Sequence, residues 1–185
     1  MRAMMYLISL YFDEKTNRRI QQYIDQIARK TGNTFMHDGD IPPHITISAF
    51  KTTDEALAIQ VFHSAVLELK SDSLQWVSVG EFFPNVIYIA PVLNEYLHQM
   101  SEKIYTTLTQ NDKISVSLYY RPFQWFPHTT IGKTLSKEQM LTAFQIMQHQ
   151  FGPFTGQVTK IGLAKTNPYR NLAEEKLLTI FQTLE

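Results

Sequence analysis

The sequence contains no cysteine. This absence excludes disulfide bonds, thiolate metal ligands and cysteine nucleophiles. Charge is also scarce: charged residues make up 18 % of the chain, and 17 basic residues balance 17 acidic ones. A net charge of zero argues against a protein held on long nucleic acid by bulk electrostatics, although a local basic cleft stays compatible with it.

Long apolar runs are missing as well. No run reaches the length that crosses a membrane, and residues 1–6 lack the apolar core of a signal peptide. We therefore expect a cytoplasmic protein with no membrane partner. A chain of 185 residues, 44 % of them hydrophobic, can bury a sizeable core, and we expect residues 1–185 to form a single domain.

Hydrophobic periodicity predicts alternating strands and helices. The patterns Thr52-x-x-Glu55 and Ser136-x-x-Gln139 are capping boxes, which mark the starts of two helices. Four helices are predicted. The first runs from the cap Asp13 to Thr31, the second begins at the first capping box and carries Leu57, Val61, Val66 and Leu69, and the others cover Asn94–Asn111 and Ser136–Phe151. The predicted strands cover residues 4–12, 44–50, 74–83, 86–92, 128–135, 158–164 and 176–184.

This order repeats between the two halves of the chain, and each half carries one copy of a short motif. Residues 43–47 and 127–131 share the pattern Pro-His-x-Thr-Ile, 84 residues apart. A single His-x-Thr is usually just a satisfied polar pair in a strand. Two copies in equivalent places instead indicate an internal repeat.

The spacing within each motif predicts where its side chains point. Alternate residues of a strand face the same side, so His44 projects with Thr46, and His128 with Thr130. If the two halves pack as a pseudo-dimer, these faces meet across one cleft. Such a site suits cleavage of a phosphodiester, because one neutral and one protonated imidazole can act as base and acid near neutral pH. Threonine hydroxyls can donate hydrogen bonds to the phosphoryl oxygens.

A metal site is the competing interpretation of the four residues. Two histidines and two threonines make a poor zinc site, since zinc prefers histidine, cysteine and carboxylate ligands. We therefore expect neither a metal nor a cofactor.

The paired motifs resemble those of the 2H phosphoesterase superfamily, in the branch of the 2′-5′ RNA ligases and RNA 2′,3′-cyclic phosphodiesterases. The resemblance covers nearly the whole chain. It implies a bilobal α+β fold, in which two pseudo-symmetric lobes of antiparallel sheet with outer helices surround a central cleft. It also implies metal-independent hydrolysis of cyclic phosphates or 2′-5′ linkages, with His44 and His128 as catalytic residues, His128 favoured as the base, and Thr46 and Thr130 as phosphate ligands.

Three further residues are candidate substrate ligands. Tyr120 and Arg121 lie in an aromatic stretch just before the second motif, which predicts either a wall for base stacking or, for most of its rings, core packing. Lys133 follows His128 by five residues, on the opposite face of a regular strand, so it reaches the phosphate only if the strand bends at Gly132.

The expected partner is an RNA end or a small nucleotide, with no obligate protein partner. RNA end joining by the reverse reaction uses the same residues as hydrolysis. A non-catalytic nucleotide- or RNA-binding module is the alternative from another class. A purely structural protein predicts that the two motifs do not face each other.

Overall fold

A computed structural model describes residues 3–39 and 41–179, and within them the chain forms ten strands and four helices. None of these helices is long and apolar enough to cross a membrane. The strands are β1 (Met4–Phe12), β2 (His44–Thr52), β3 (Lys70–Ser71), β4 (Ser73–Phe82), β5 (Val86–Pro91), β6 (Ser115–Val116), β7 (Thr129–Gly132), β8 (Phe154–Lys165), β9 (Arg170–Lys176) and β10 (Leu178–Thr179), and the helices are α1 (Glu14–Thr31), α2 (Glu55–Val66), α3 (Glu95–Thr109) and α4 (Lys137–Gln150).

Helix starts follow their caps, with one correction. The predicted capping box at Ser136 and Gln139 is confirmed at the start of α4, with both reciprocal hydrogen bonds present. The predicted box at Thr52 is wrong, because the side chain of Asp54 accepts from the Leu57 N–H and caps α2. The Thr52 hydroxyl accepts instead from the Asp54 N–H, which lies before the helix begins.

Eight strands form one antiparallel sheet in the order β6-β2-β1-β8-β4-β5-β7, with β9 also paired to β8. The long strand β8 joins two lobes, since its residues 154–157 pair with β4 and its residues 158–165 pair with β1. We call β6, β2, β1, β9 and the second part of β8 the first lobe. The second lobe comprises β4, β5, β7 and the first part of β8.

Helices α1 and α3 each pack on the lobe opposite to the one that contains the preceding strand. Helix α1 follows β1 of the first lobe but packs on β7 and β8 of the second, beside α4. Helix α3 follows β5 of the second lobe but packs on β2 and β6 of the first, beside α2. The arrangement is thus the same in both halves, and the predicted α+β fold with two pseudo-symmetric lobes is confirmed.

Two predicted strand boundaries are corrected. The sequence predicts a last strand over 176–184, but β9 covers Arg170–Lys176 and residues 180–184 lie outside the described residues. The charged composition of β9 hid it from a hydrophobic pattern. Strand β7 ends at Gly132 rather than Leu135, because the chain turns at Thr134, whose φ is +60°.

Trp76 is fully buried where the lobes meet. Its ring stacks on Phe154 at 5.0 Å and meets Phe12 edge-on at 4.9 Å. The indole N–H donates to the buried Thr129 hydroxyl at 3.3 Å, which fixes β7 from inside the core. The position of the second motif therefore depends on core packing as well as on strand pairing.

The cap of α1 gives a test of stability. Burial alone would raise the pKa of Asp13, but hydrogen bonds from the Thr16 hydroxyl and the backbone N–H groups of Gln157 and Thr16 outweigh it and lower that pKa. Asp13→Ala should therefore lower the free energy of unfolding by about 1 kcal/mol at neutral pH. The carboxylate stabilises the fold above its ordinary pKa of 3.8, and this contribution is lost as the pH falls through the lowered native value.

Urea denaturation of the two proteins at neutral and acidic pH measures this difference. The gap between them should narrow in acid, while Asp112→Ala, at an exposed turn, should cost little at either pH. A gap that stays constant with pH would contradict the proposed role of the Asp13 carboxylate.

Candidate active site

Both motifs alternate between core and cleft as predicted. Ile45 and Ile47 are buried in the core, while His44 and Thr46 are half-buried on the opposite face of β2. The second motif repeats this pattern, with Thr129 and Ile131 fully buried and His128 and Thr130 half-buried.

Strands β2 and β7 lie near opposite ends of the sheet order, yet they come into contact, because the sheet curls around the cleft. The indole N–H of Trp125, just before the second motif, donates to the carbonyl of Thr46 at 3.1 Å. This hydrogen bond ties the approach to one motif to the backbone of the other. The two motifs therefore face each other, contrary to what a purely structural protein predicts.

The same backbone contact orients each imidazole. The Nδ1 of His44 lies 2.9 Å from the carbonyl of Pro42, and the Nδ1 of His128 lies 3.0 Å from that of Phe126. In this geometry Nδ1 carries the proton and donates it to the carbonyl. Nε2 of each ring is then the nitrogen free to exchange a proton with a substrate.

The pKa values of both histidines are shifted in one direction. Burial lowers the pKa of His44, and the positive charge of His128 lowers it further, against the opposing hydrogen bond to Pro42. Burial likewise lowers the pKa of His128, against its hydrogen bond to Phe126. The charge effect places the two rings within electrostatic range of each other.

The two threonines have different neighbours. The Thr46 hydroxyl lies 3.4 Å from the Ser9 hydroxyl, and its hydrogen bond to Tyr120 partly offsets the rise that burial causes in the tyrosine pKa. Thr130 pairs across the strands with Tyr88 of β5. The structure thus brings Tyr120 to the first motif, although it precedes the second one in sequence.

Aromatic side chains surround His128. The rings of Phe82, Tyr88 and Phe126 lie 4.7, 5.5 and 6.3 Å from its imidazole. His44 has Tyr11 at 6.2 Å. No sequence pattern pointed to Phe82, Tyr88 or Tyr11, because only strand register shows that they adjoin the motifs.

Two glycines, Gly80 on β4 and Gly162 on β8, make room for the rings of Tyr88 and Tyr11. A Cβ on Gly80 would lie 2.5 Å from the Tyr88 hydroxyl, and a Cβ on Gly162 would lie 2.9 Å from the Tyr11 ring. Each tyrosine therefore lies flat across a neighbouring strand that has no side chain there. The same packing solution occurs in both lobes.

The other two predicted ligands, Arg121 and Lys133, are exposed. Lys133 lies beyond the end of β7, with its Nζ 5.6 Å from the ring centre of Phe35. A bulge at Ile131 shifts the register of β7 against β5, one residue before the bend expected at Gly132. After this bulge Gly132 pairs with Ile87 and faces the core, so Lys133 follows on the face that carries Thr130.

The prediction that most aromatic rings before the second motif are core is wrong. Trp125 is buried and Tyr120 is half-buried, but Tyr119, Phe123 and Phe126 are exposed. Tyr119 and Phe123 keep more than four fifths of their surface, because this segment is a 3-10 turn and loop with its backbone at the surface. Within residues 3–39 and 41–179, no three histidine, cysteine or carboxylate side chains could together hold a metal ion.

The fold agrees with comparisons to known proteins. A family model described as the 2′-5′ RNA ligase superfamily matches residues 16–170, and the chain belongs to this family of 2H phosphoesterases. A search of curated proteins finds no match.

Similar solved structures include E. coli LigT complexed with NADP+, with a TM-score of 0.63 and 12 % identity, covering 97 % of this chain and 100 % of that one. A phosphoesterase of 12 % identity has a TM-score of 0.65 and covers 96 % and 100 %. TT0787 of Thermus thermophilus has a TM-score of 0.62 at 12 % identity, with the same coverage. At these identities the likeness shows the fold alone.

The electrostatic link between the histidines can be measured by NMR titration of the imidazoles. In His128→Gln, the pKa of His44 should rise, because the neighbouring positive charge is gone. It should stay below its ordinary value of 6.5, because burial persists. His149→Gln, on the outer helix α4, should leave the pKa of His44 unchanged. An unchanged His44 titration in His128→Gln would contradict the link.

Proposed function

We propose that the protein is a metal-independent phosphodiesterase that hydrolyses 2′,3′-cyclic phosphates at RNA ends, or small cyclic or 2′-5′-linked nucleotides. One observation carries this proposal: each of two facing imidazoles is held through Nδ1 by a backbone carbonyl, which leaves both Nε2 atoms for the substrate. Two imidazoles on either side of one phosphate can supply a base and an acid together. The family supports a phosphoesterase in general.

The reaction requires one neutral and one protonated histidine. The neutral imidazole takes a proton from water as the water oxygen forms a bond to phosphorus. The bond from phosphorus to one ribose oxygen breaks, and the imidazolium gives its proton to that oxygen. For a nucleoside 2′,3′-cyclic phosphate the product is a nucleoside monophosphate. The two histidines have then exchanged protonation states.

The environment favours His44 as the base. Burial lowers the pKa of both histidines, and the charge of His128 lowers that of His44 further, so we assign His44 as the neutral base and His128 as the acid. Aromatic ring faces such as those of Phe82 and Tyr88 can also stabilise an imidazolium. This assignment is opposite to the one that family resemblance favours.

The remaining groups suit binding of the phosphate and of a base. Thr46 and Thr130 present hydroxyls beside the two imidazoles and can donate to the phosphoryl oxygens as charge develops. The half-exposed rings of Phe82 and Phe126 offer a stacking surface for a base. Among the similar structures, E. coli LigT has been crystallised with 3′-AMP and with phosphate, which supports a nucleotide ligand.

Activity of histidine variants tests the proposal. His44→Ala and His128→Ala should each lower kcat/KM for nucleoside 2′,3′-cyclic phosphates by about 10²–10⁴, because each removes one proton-transfer group. Wild-type turnover should persist in excess EDTA. Release of nucleoside monophosphate, followed by chromatography, measures both effects.

His149→Ala is the matched control, since this histidine is exposed on α4. Full activity of both motif variants would overturn the mechanism. Tight binding of cyclic nucleotides without turnover would favour a binding module instead, and joining of RNA ends at high concentration would favour ligation.

A substrate with a good leaving group separates the two roles. The 4-nitrophenyl diester of thymidine 3′-phosphate releases an anion that needs no proton. His128→Ala should therefore lose much less activity on this ester than on a cyclic phosphate, whereas His44→Ala should lose activity on both. Selective rescue of His44→Ala would reverse the assignment.

The pH dependence of kcat/KM also tests the protonation states of His44 and His128. Since burial lowers both pKa values, the bell-shaped profile of kcat/KM should have its maximum below 6.5, the ordinary pKa of histidine. Initial rates across the pH range measure this profile. A maximum well above neutrality would contradict the proposed protonation states.

A further inference from the structure

We propose that the open face of the first lobe binds the oligonucleotide chain that continues from the reacting nucleotide, with Lys160 and Lys176 contacting its next phosphate. This inference rests on the proposed function and narrows its substrate to an RNA end rather than a free mononucleotide.

Strand register places both lysines in line with the site. His44 pairs with Tyr11, Tyr11 with Lys160, and Lys160 with Lys176, across β2, β1, β8 and β9. Residues directly opposite in antiparallel strands project from the same face of a sheet. The four side chains therefore form one row on the face that carries the cleft.

Glu175, which precedes Lys176 in β9, shows that this row lies on the face of the sheet opposite the helices. Glu175 pairs with His63 of α2 at 3.0 Å, so Glu175 points toward the helices. Its neighbours Glu174 and Lys176 must point away from them, toward the open face. Both are exposed, and the Lys160 side chain keeps 42 % of its surface.

The row has a net positive charge. Lys160 and Lys176 lie directly opposite each other, an arrangement that repels, and Glu174 binds Lys160 at 2.8 Å, which neutralises one of the two. In the second lobe, the row that continues from Thr130 consists of Tyr88 and Gly80 and carries no charge. Aromatic rings thus flank His128, whereas two lysines lie in the row that begins at His44.

The spacing suits a chain rather than a single nucleotide. Neighbouring strands are about 4.8 Å apart, so Lys160 lies about 10 Å from His44 and Lys176 about 15 Å away. The ion pair with Glu174 on β9 directs the Lys160 ammonium away from β2, and Lys176 lies one strand farther, so a phosphate held between the imidazoles contacts neither. Tyr11 is buried in this row, with its ring over Gly162 and its hydroxyl bonded to Tyr169. The neighbouring phosphate of an oligonucleotide that passes above these rings comes within reach of the two lysines.

Salt dependence tests this subsite. The probes are uridine 3′-phosphate and the dinucleotide UpUp, whose equilibrium binding is measured by calorimetry, and the corresponding 2′,3′-cyclic phosphates, whose kcat/KM is measured. Neutralising one more phosphate of a single strand steepens the salt dependence by about 0.7 in log–log slope. Between 50 and 200 mM salt, the dinucleotide should therefore lose about threefold more affinity than the mononucleotide.

Three variants distinguish this subsite from general charge effects. Lys160→Ala/Lys176→Ala should abolish the extra slope for the dinucleotide and leave the mononucleotide unaffected. Glu174→Gln should tighten dinucleotide binding, because it releases Lys160, and a gain cannot result from misfolding. Lys137→Ala, an exposed lysine on α4, should change neither.

The outcomes of the experiment are distinct. Equal salt slopes for the two probes, or an equal effect of Lys137→Ala, would overturn the subsite. Turnover of cyclic mononucleotides with equal slopes would do so while leaving the proposed function intact. Binding with the extra slope but without turnover would support the subsite and overturn the hydrolytic mechanism.

Discussion

The hydrogen bond from the Trp125 indole to the Thr46 carbonyl joins the two motifs that together form the site. Strands β2 and β7 are far apart in the sheet order, so each motif alone is only a polar row on one lobe. A buried donor on the approach to one motif, with its acceptor inside the other, requires the lobes to close to one distance. The electrostatic effect of His128 on His44 depends on that closure.

Much of the site could be predicted because it depends on local periodicity. The alternation of buried Ile45 with half-buried His44 and Thr46 follows directly from strand geometry, and the repeated motif indicates the second half of the site. The capping box at Ser136 was predictable for the same reason. Asp54 took the place of Thr52 because both are good caps, and only the local chain direction decides between them.

The remainder depends on register and on side chains far apart in sequence. No local pattern places Tyr88 beside His128, Tyr11 beside His44, or Lys160 in the row that continues from them. The face on which Lys133 lies likewise depends on the bulge at Ile131, which the sequence alone does not show.

The crossing of α1 and α3 has a consequence for the chain as a whole. The first helix of each half covers the sheet of the other half. A chain cut between β4 and β5 therefore yields two fragments, each with part of the apolar face of its sheet exposed. Neither fragment buries its apolar surface alone, but two such halves can cover one another. A repeat of this kind is the geometry of a helix-swapped homodimer whose subunits have become a single polypeptide.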